Sequence, residues 1–219
     1  MRIENMLNVR QVLVVPLVLA VGFGWSVVSL ASEAMLRSFF ADVDTLQADF
    51  TQRVTDESGM TLEFSSGVFS LSRPGRFRWD YKSDDPDLEQ GMQIVSDGVA
   101  ITFYEPDLAT ATIRSFDQAV QQVPTMALVQ AGDRLDKLFT IVDYGLTDGL
   151  SWVALKPKDE NAGYQELMIG FNAGKLNTIV LTDALGNETR LVLSKLQANR
   201  TLPTGTFKLD LSSDVDVVQ

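Results

Sequence analysis

Four carboxylates within six residues, Asp84, Asp85, Asp87 and Glu89, are the first place to look for chemistry in this chain. Acids so close together can hold a divalent cation or divide the work of general acid and base. Their spacing is not that of a calcium loop, and no glycine stands at the turn position. Nothing singles out two of them as a glycosidase pair. A solvated acidic loop accounts for the run. The remaining inventory is thin, because the sequence has no histidine and no cysteine. That excludes imidazole bases, thiolate nucleophiles, His or Cys metal sites and disulfides. It also excludes a lipid-modified N-terminal cysteine on this chain. There is no G-x-S-x-G and no phosphate loop. Any catalysis would rest on carboxylates, lysine, tyrosine or serine; we expect no enzyme, no metal and no cofactor.

A different pattern carries more information. Arg73-Pro74-Gly75-Arg76-Phe77-Arg78-Trp79-Asp80-Tyr81 opens on turn residues, Pro74 presetting φ and Gly75 supplying the φ > 0 of a type II turn. Strict alternation follows. Phe77, Trp79 and Tyr81 share one strand face, and Arg76, Arg78, Asp80 and Lys82 share the other. The aromatic face, with Phe69 on the partner strand and Phe103 on a nearby one, is either barrel core or the wall of a ligand cavity. Sheet size favours the cavity, since a large curved sheet encloses more volume than its own side chains fill. The expected lining is Phe50, Phe69, Leu71, Phe77, Trp79, Tyr81, Ile94 and Phe103. On the other face, Arg76 and Arg78 read as solvated cations. Arg73 differs, because at the turn edge its guanidinium can reach backbone carbonyls of an adjacent lid. A few such bonds are worth roughly a few kcal/mol, enough to hold a lid shut and weak enough to release it.

Helices and strands must position these groups. Ser32 is a plausible N-cap with Glu33 in the first turn, and Met35, Leu36, Phe39, Phe40 and Val43 recur at helical spacing to about Asp44. The period then changes to two. Strands are predicted at Leu46–Val54, Met60–Ser72, Arg76–Lys82, Met92–Ser96, Val99–Tyr104 and Leu108–Ser115. Asp117 to Gly132 interrupts as two short helical pieces split at Pro124, with Met126 and Leu128 among its apolar residues. Strands resume at Leu138–Asp143, Leu150–Lys156, Tyr164–Phe171, Leu176–Asp183 and Glu188–Leu196, with a short one at Thr206–Leu211. The predicted fold is mainly β with helices: one large curved antiparallel sheet of about eleven strands, with the N-terminal helix and the central helical segment packed on one face as a lid. Met35, Leu36, Phe39, Phe40, Pro124, Met126 and Leu128 form the expected lid. No repeat or internal linker divides residues 32–219, so one domain is expected.

The N-terminus reads as an export signal. Arg2 and Arg10 precede an apolar run from Val12 to Leu30, and no further charge occurs before Glu33. Ser29-Leu30-Ala31 places small residues at −3 and −1 of a cleavage site, and Ser32-Glu33-Ala34 offers a second. The rival reading is an uncleaved anchor, because the run is long enough to span a bilayer. Cleavage after Ala31 is preferred. It removes Arg2, Arg10 and Glu4, a net +1, and takes the net charge from −11 to −12. An acidic chain argues against nucleic acid as a partner. A cysteine-free, exported, acidic domain points to the periplasm or cell exterior.

Leu46-Gln47-Ala48-Asp49-Phe50-Thr51-Gln52, Ser65-Ser66-Gly67-Val68-Phe69 and the Arg73–Tyr81 run resemble the periplasmic outer-membrane lipoprotein carrier family, LolA. Ile94–Gly98, Tyr104–Leu108, the Pro124 segment, Leu155–Lys158 and Asp183–Thr189 extend the likeness over nearly all of the mature chain. The resemblance implies an unclosed β-barrel lidded by helices and a monomeric chaperone without a cofactor. Such a chaperone takes triacylated lipoproteins from an inner-membrane ABC-type release complex to a LolB-type acceptor on the outer membrane. It implies that Arg73 closes the lid and is needed for hand-off, that Phe77 serves cycling with the release complex, and that Trp79 lines the cavity. Ser72 stands where a lysine is common, and the tail Asp210–Gln219 is more acidic than the family leads one to expect. Two rivals remain. One is a lipid-sensing regulator of envelope stress on the same fold, which would be expected to carry a further C-terminal domain. The other is a carboxylate hydrolase, which would consume its substrate.

Overall fold

Alternating side chains make a sheet two-faced, and here twelve strands among the described residues follow that pattern. The structure is a computed structural model that describes residues 30–85, 90–115 and 134–218. Helix α1 (Leu30–Asp42) leads into β1 (Thr45–Thr55), β2 (Thr61–Ser72), β3 (Arg76–Tyr81), β4 (Gln93–Asp97), β5 (Ala100–Glu105) and β6 (Thr110–Ser115). A short helix α2 (Leu135–Leu138) precedes β7 (Phe139–Thr147), β8 (Leu150–Pro157), β9 (Tyr164–Asn172), β10 (Lys175–Asp183), β11 (Glu188–Ala198) and β12 (Asp216–Val218). All twelve strands form one sheet in the order β12-β6-β5-β4-β3-β2-β1-β11-β10-β9-β8-β7. Among the described residues its end strands β12 and β7 do not pair with each other, so the barrel is unclosed, as the family resemblance implies.

Register puts the apolar residues in rows across one face. Leu46, Leu71, Phe77, Ser96 and Ile101 lie side by side on β1 to β5, and Ala48, Phe69, Trp79, Ile94 and Phe103 form the next row. The other half of the sheet adds Val153, Leu155, Leu167, Ile169, Phe171, Ile179, Leu191 and Leu193 to the same core. Helix α1 covers this inner face, packing on β7 to β10 and inserting Leu36, Phe39 and Phe40. Phe39 meets Phe171 of β9 edge-on at 6.5 Å between ring centres.

Four local expectations change. The described part of helix α1 runs from Leu30 to Asp42, and Ser32 lies inside it and is not its cap: the Ser32 and Glu33 N–H groups both donate to the Asp143 carboxylate of β7. That partner is more than a hundred residues away in the chain, beyond any local pattern. The turn after β2 is not type II. The Arg73–Pro74 peptide is cis, Gly75 has φ 73°, and the Arg76 N–H donates to the Pro74 carbonyl. Residues 206–211 are not a strand, and the last strand is β12, which runs parallel to β6. Finally, Arg76 and Arg78 are not simply solvated. Arg78 Nη1 donates to the carbonyls of Thr206 and Lys208, at 3.3 and 3.0 Å, while its Nε binds Asp80. The Arg76 guanidinium lies 5.5 Å from the centre of the Phe207 ring. The segment after β11 crosses the outer face of β3, and guanidinium donors satisfy carbonyls that a strand ladder would otherwise take up.

Candidate functional site

The aromatic wall is assembled around a glycine. Phe50 on β1 stands directly opposite Gly67 on β2, which in turn faces Tyr81 on β3. A Cβ on Gly67 would lie 1.9 Å from the Asp80 carbonyl oxygen and 2.8 Å from the Phe50 ring. The missing side chain therefore lets Phe50 lie across β2. Its ring meets Trp79 at 5.0 Å and Tyr81 at 5.2 Å between centres, both nearly perpendicular, and Phe69 lies against Trp79 at 4.2 Å. Such edge-to-face pairs add about 0.5–1.5 kcal/mol each beyond area burial. Phe50, Phe69, Leu71, Phe77, Trp79 and Ile94 are all buried, Phe77 completely at 0% exposure. Tyr81 and Phe103 are half-buried and flank them.

Beyond Tyr81 the surroundings turn polar. A cavity of about 600 Å³ is lined by Gln52, Glu63, Ser65, Tyr81, Lys82 and the acids Asp84, Asp85, Glu105 and Asp107. Burial pushes the Tyr81 phenol up to about 12, and the Glu63 carboxylate adds to the shift while a hydrogen bond with Gln52 opposes it. Of the acidic run, Asp84 and Asp85 are exposed, and Asp87 and Glu89 lie outside the described residues.

Arg73 stands at the other end of the wall, where β2 turns into β3. Its Nε donates to the Val43 carbonyl at 2.9 Å, and its backbone N–H donates to the Asp44 carbonyl at 2.8 Å. The guanidinium sits 4.9 Å from the centre of the Phe40 ring and 5.5 Å from that of Phe39. Burial lowers its pKa from the ordinary arginine value, and the nearby Asp44 carboxylate offsets part of that. A cation here also meets the negative end of the α1 dipole. The end of α1 is held by Asn199 as well, whose side chain donates to the Asp42 carbonyl at 2.6 Å and accepts from the Asp44 N–H at 2.9 Å. At the opposite end Asp143 takes two helix N–H groups, and Arg37 bridges Glu33 and Asp136, at 2.7 and 2.9 Å.

Sequence reasoning missed Asp143 and Asn199. Neither lies in a motif, although Asn199 follows a strand and adopts φ 55°, a conformation asparagine tolerates. The structure brings Arg73, Phe39 and Phe40 together and places Leu36 in the same core, with Met35 packed against it. Pro124, Met126 and Leu128 lie outside the described residues.

Residues 41–210 match the family described as outer membrane lipoprotein carrier protein LolA. The sequence is 38% identical over 211 residues to an outer-membrane lipoprotein carrier protein of Methylococcus capsulatus, covering 96% of this chain and 97% of that protein. It is 35% identical over 183 residues to the protein of that name from Dechloromonas aromatica, covering 84% and 85% of the two chains. An uncharacterized conserved protein from Thermus thermophilus superposes with a TM-score of 0.54 at 14% identity, over 86% of this chain and 98% of its own, a likeness of fold alone.

Proposed function

This chain belongs to the LolA family of outer membrane lipoprotein carrier proteins, and from that premise we propose that it carries lipoproteins through the periplasm with their acyl chains held between the sheet and α1. One acyl chain of ~15 methylenes costs on the order of 12 kcal/mol to expose to water. A soluble carrier must therefore offer a dry surface that opens and closes. Phe50, Phe69, Leu71, Phe77, Trp79, Tyr81, Ile94 and Phe103 provide the wall. Leu36, Phe39 and Phe40 provide a cover that must lift for cargo to enter. Arg73 is the latch: its side-chain hydrogen bond to Val43 and its cation over two rings help hold the end of α1, a hold of the right size to be broken on loading.

The cargo comes from an inner-membrane ABC-type release complex and goes to a LolB-type acceptor in the outer membrane. Transfer needs no catalysis by the carrier, since it runs downhill when the acceptor binds the chains more tightly. No nucleic acid takes part, and the carrier works as a monomer. The single observation that carries this reading is one apolar core shared by the aromatic wall and α1, a helix whose two ends are fastened by a few hydrogen bonds.

Co-expression with a lipoprotein is the direct test. The carrier should co-purify with the acylated form and not with a cargo whose lipidated cysteine is replaced by serine. Equal recovery of both would remove the acyl chains from the account. Depleting the carrier from cells should strand outer-membrane lipoproteins in the inner membrane.

A further inference from the structure

Two independent observations meet at Ser32. In the sequence, Ser29-Leu30-Ala31 has the small residues of a cleavage signal, and processing there would leave Ser32 as the first residue. In the fold, Ser32 is 1% exposed and its backbone nitrogen lies 3.2 Å from Asp143 Oδ2 on β7. The Glu33 nitrogen is 3.3 Å from the same oxygen. The other carboxylate oxygen accepts the Gly145 N–H at 2.7 Å, across an irregularity in the β7–β8 ladder where Gly145 takes φ 70°. The orientation of Asp143 is thus set by its own strand and not by the helix it caps.

Hydrolysis of the Ala31–Ser32 amide consumes one water, leaves a carboxylate on Ala31 and frees an amine on Ser32, which takes up a proton. We propose that Asp143 is the receptor for this new N-terminal ammonium, so that processing turns a neutral N–H hydrogen bond into a partly buried ion pair fastening α1 to β7. An ammonium at the positive end of a helix, removed from water, is unfavourable without an anion. Asp143 supplies that anion within hydrogen-bond reach, and charge-assisted bonds are roughly twice as strong as neutral ones. Glu33, the acid of the same turn, is already engaged by Arg37. Cleavage after Ala34 would discard both Ser32 and Glu33, so the pairing selects between the two sites the sequence offers. The inference rests on processing after Ala31 and is independent of what the carrier holds.

The test joins mass spectrometry of the exported protein to a thermal double-mutant cycle. The mature chain should begin at Ser32; a chain beginning at Met35 would overturn the proposal. Restoring Ala31 at the front moves the ammonium one residue away from Asp143. We expect that extension to lower Tm by about 3 °C or more when Asp143 is present and to cause no fall in the Asp143→Asn background. An equal fall in both backgrounds would overturn the pairing. If Asp143→Asn does not fold, Nα-acetylation of the Ser32 chain makes the same decision, since it removes the charge and leaves Asp143 in place: a fall of similar size supports the pair, and an unchanged Tm overturns it. Lipoprotein co-purification by the same samples reports separately on the carrier reading.

Discussion

Arg73 grips the end of α1 through a side-chain hydrogen bond to the Val43 carbonyl and a cation seated over Phe40 and Phe39. Replacing it with leucine keeps an apolar stem against the rings and removes the bond and the charge. The empty, closed form then loses about 1–2 kcal/mol relative to the loaded form. Arg73→Leu should still accept lipoprotein, retain it roughly tenfold more tightly, and fail to pass it to an acceptor. Hand-off at the normal rate would exclude the latch. At the other end of the wall, Tyr81 gives a prediction against pH. An unfolded chain releases the phenolic proton near pH 10, whereas the fold keeps it until about pH 12. The folded state therefore binds more protons across that window, and its stability falls as pH rises through it. Tyr81→Phe should flatten that part of the stability profile, and denaturant melts at pH 9, 10 and 11 would reveal an unchanged slope.

Among the elements, α1 and the segment after β11 are fastened in different ways. Helix α1 has local helical periodicity, but its ends are capped by Asp143 and Asn199, from β7 and the end of β11. The segment after β11 has no ladder of its own around Phe207, and it depends on Arg78 for two of its carbonyls. Arg78→Ala should therefore loosen residues 200–212 by about 2 kcal/mol. Hydrogen exchange at those amides should quicken and proteolysis there should increase, while Trp79 fluorescence stays as it was. Unaltered protection of the segment would mean that β12 alone holds it against β6.

On the proposed carrier reading, the molecule is stable in water when empty and opens when loaded, and cargo reaches the aromatic wall as α1 separates from β9. The absence of cysteine makes this simple to test. Cysteines replacing Phe39 and Phe171, whose ring centres lie 6.5 Å apart, should tether the helix to the sheet when joined by a short, reducible bifunctional thiol reagent. The tethered protein should lose at least tenfold in affinity for a fluorescent fatty acid, and reduction should restore it relative to the two single cysteine variants. Undiminished binding by the tethered form would place the acyl chains elsewhere.

Much of this was legible in the residues alone. The alternation of Phe77, Trp79 and Tyr81 with Arg76, Arg78 and Asp80 determined a two-faced strand, and repeated alternation determined a sheet with an apolar face. The spacing of Leu36, Phe39 and Phe40 determined the helix that covers it, and the missing histidine and cysteine narrowed the chemistry. These follow from periods of 2 and 3.6 residues, which are properties of a short stretch of chain. Only the tertiary structure decided that Asp143 caps α1, that Asn199 closes its other end, that Gly67 makes room for Phe50, and that Arg78 secures the segment around Phe207. Each of those pairings joins residues from different elements, and their proximity is set by strand order and register, quantities to which no single segment of sequence is sensitive.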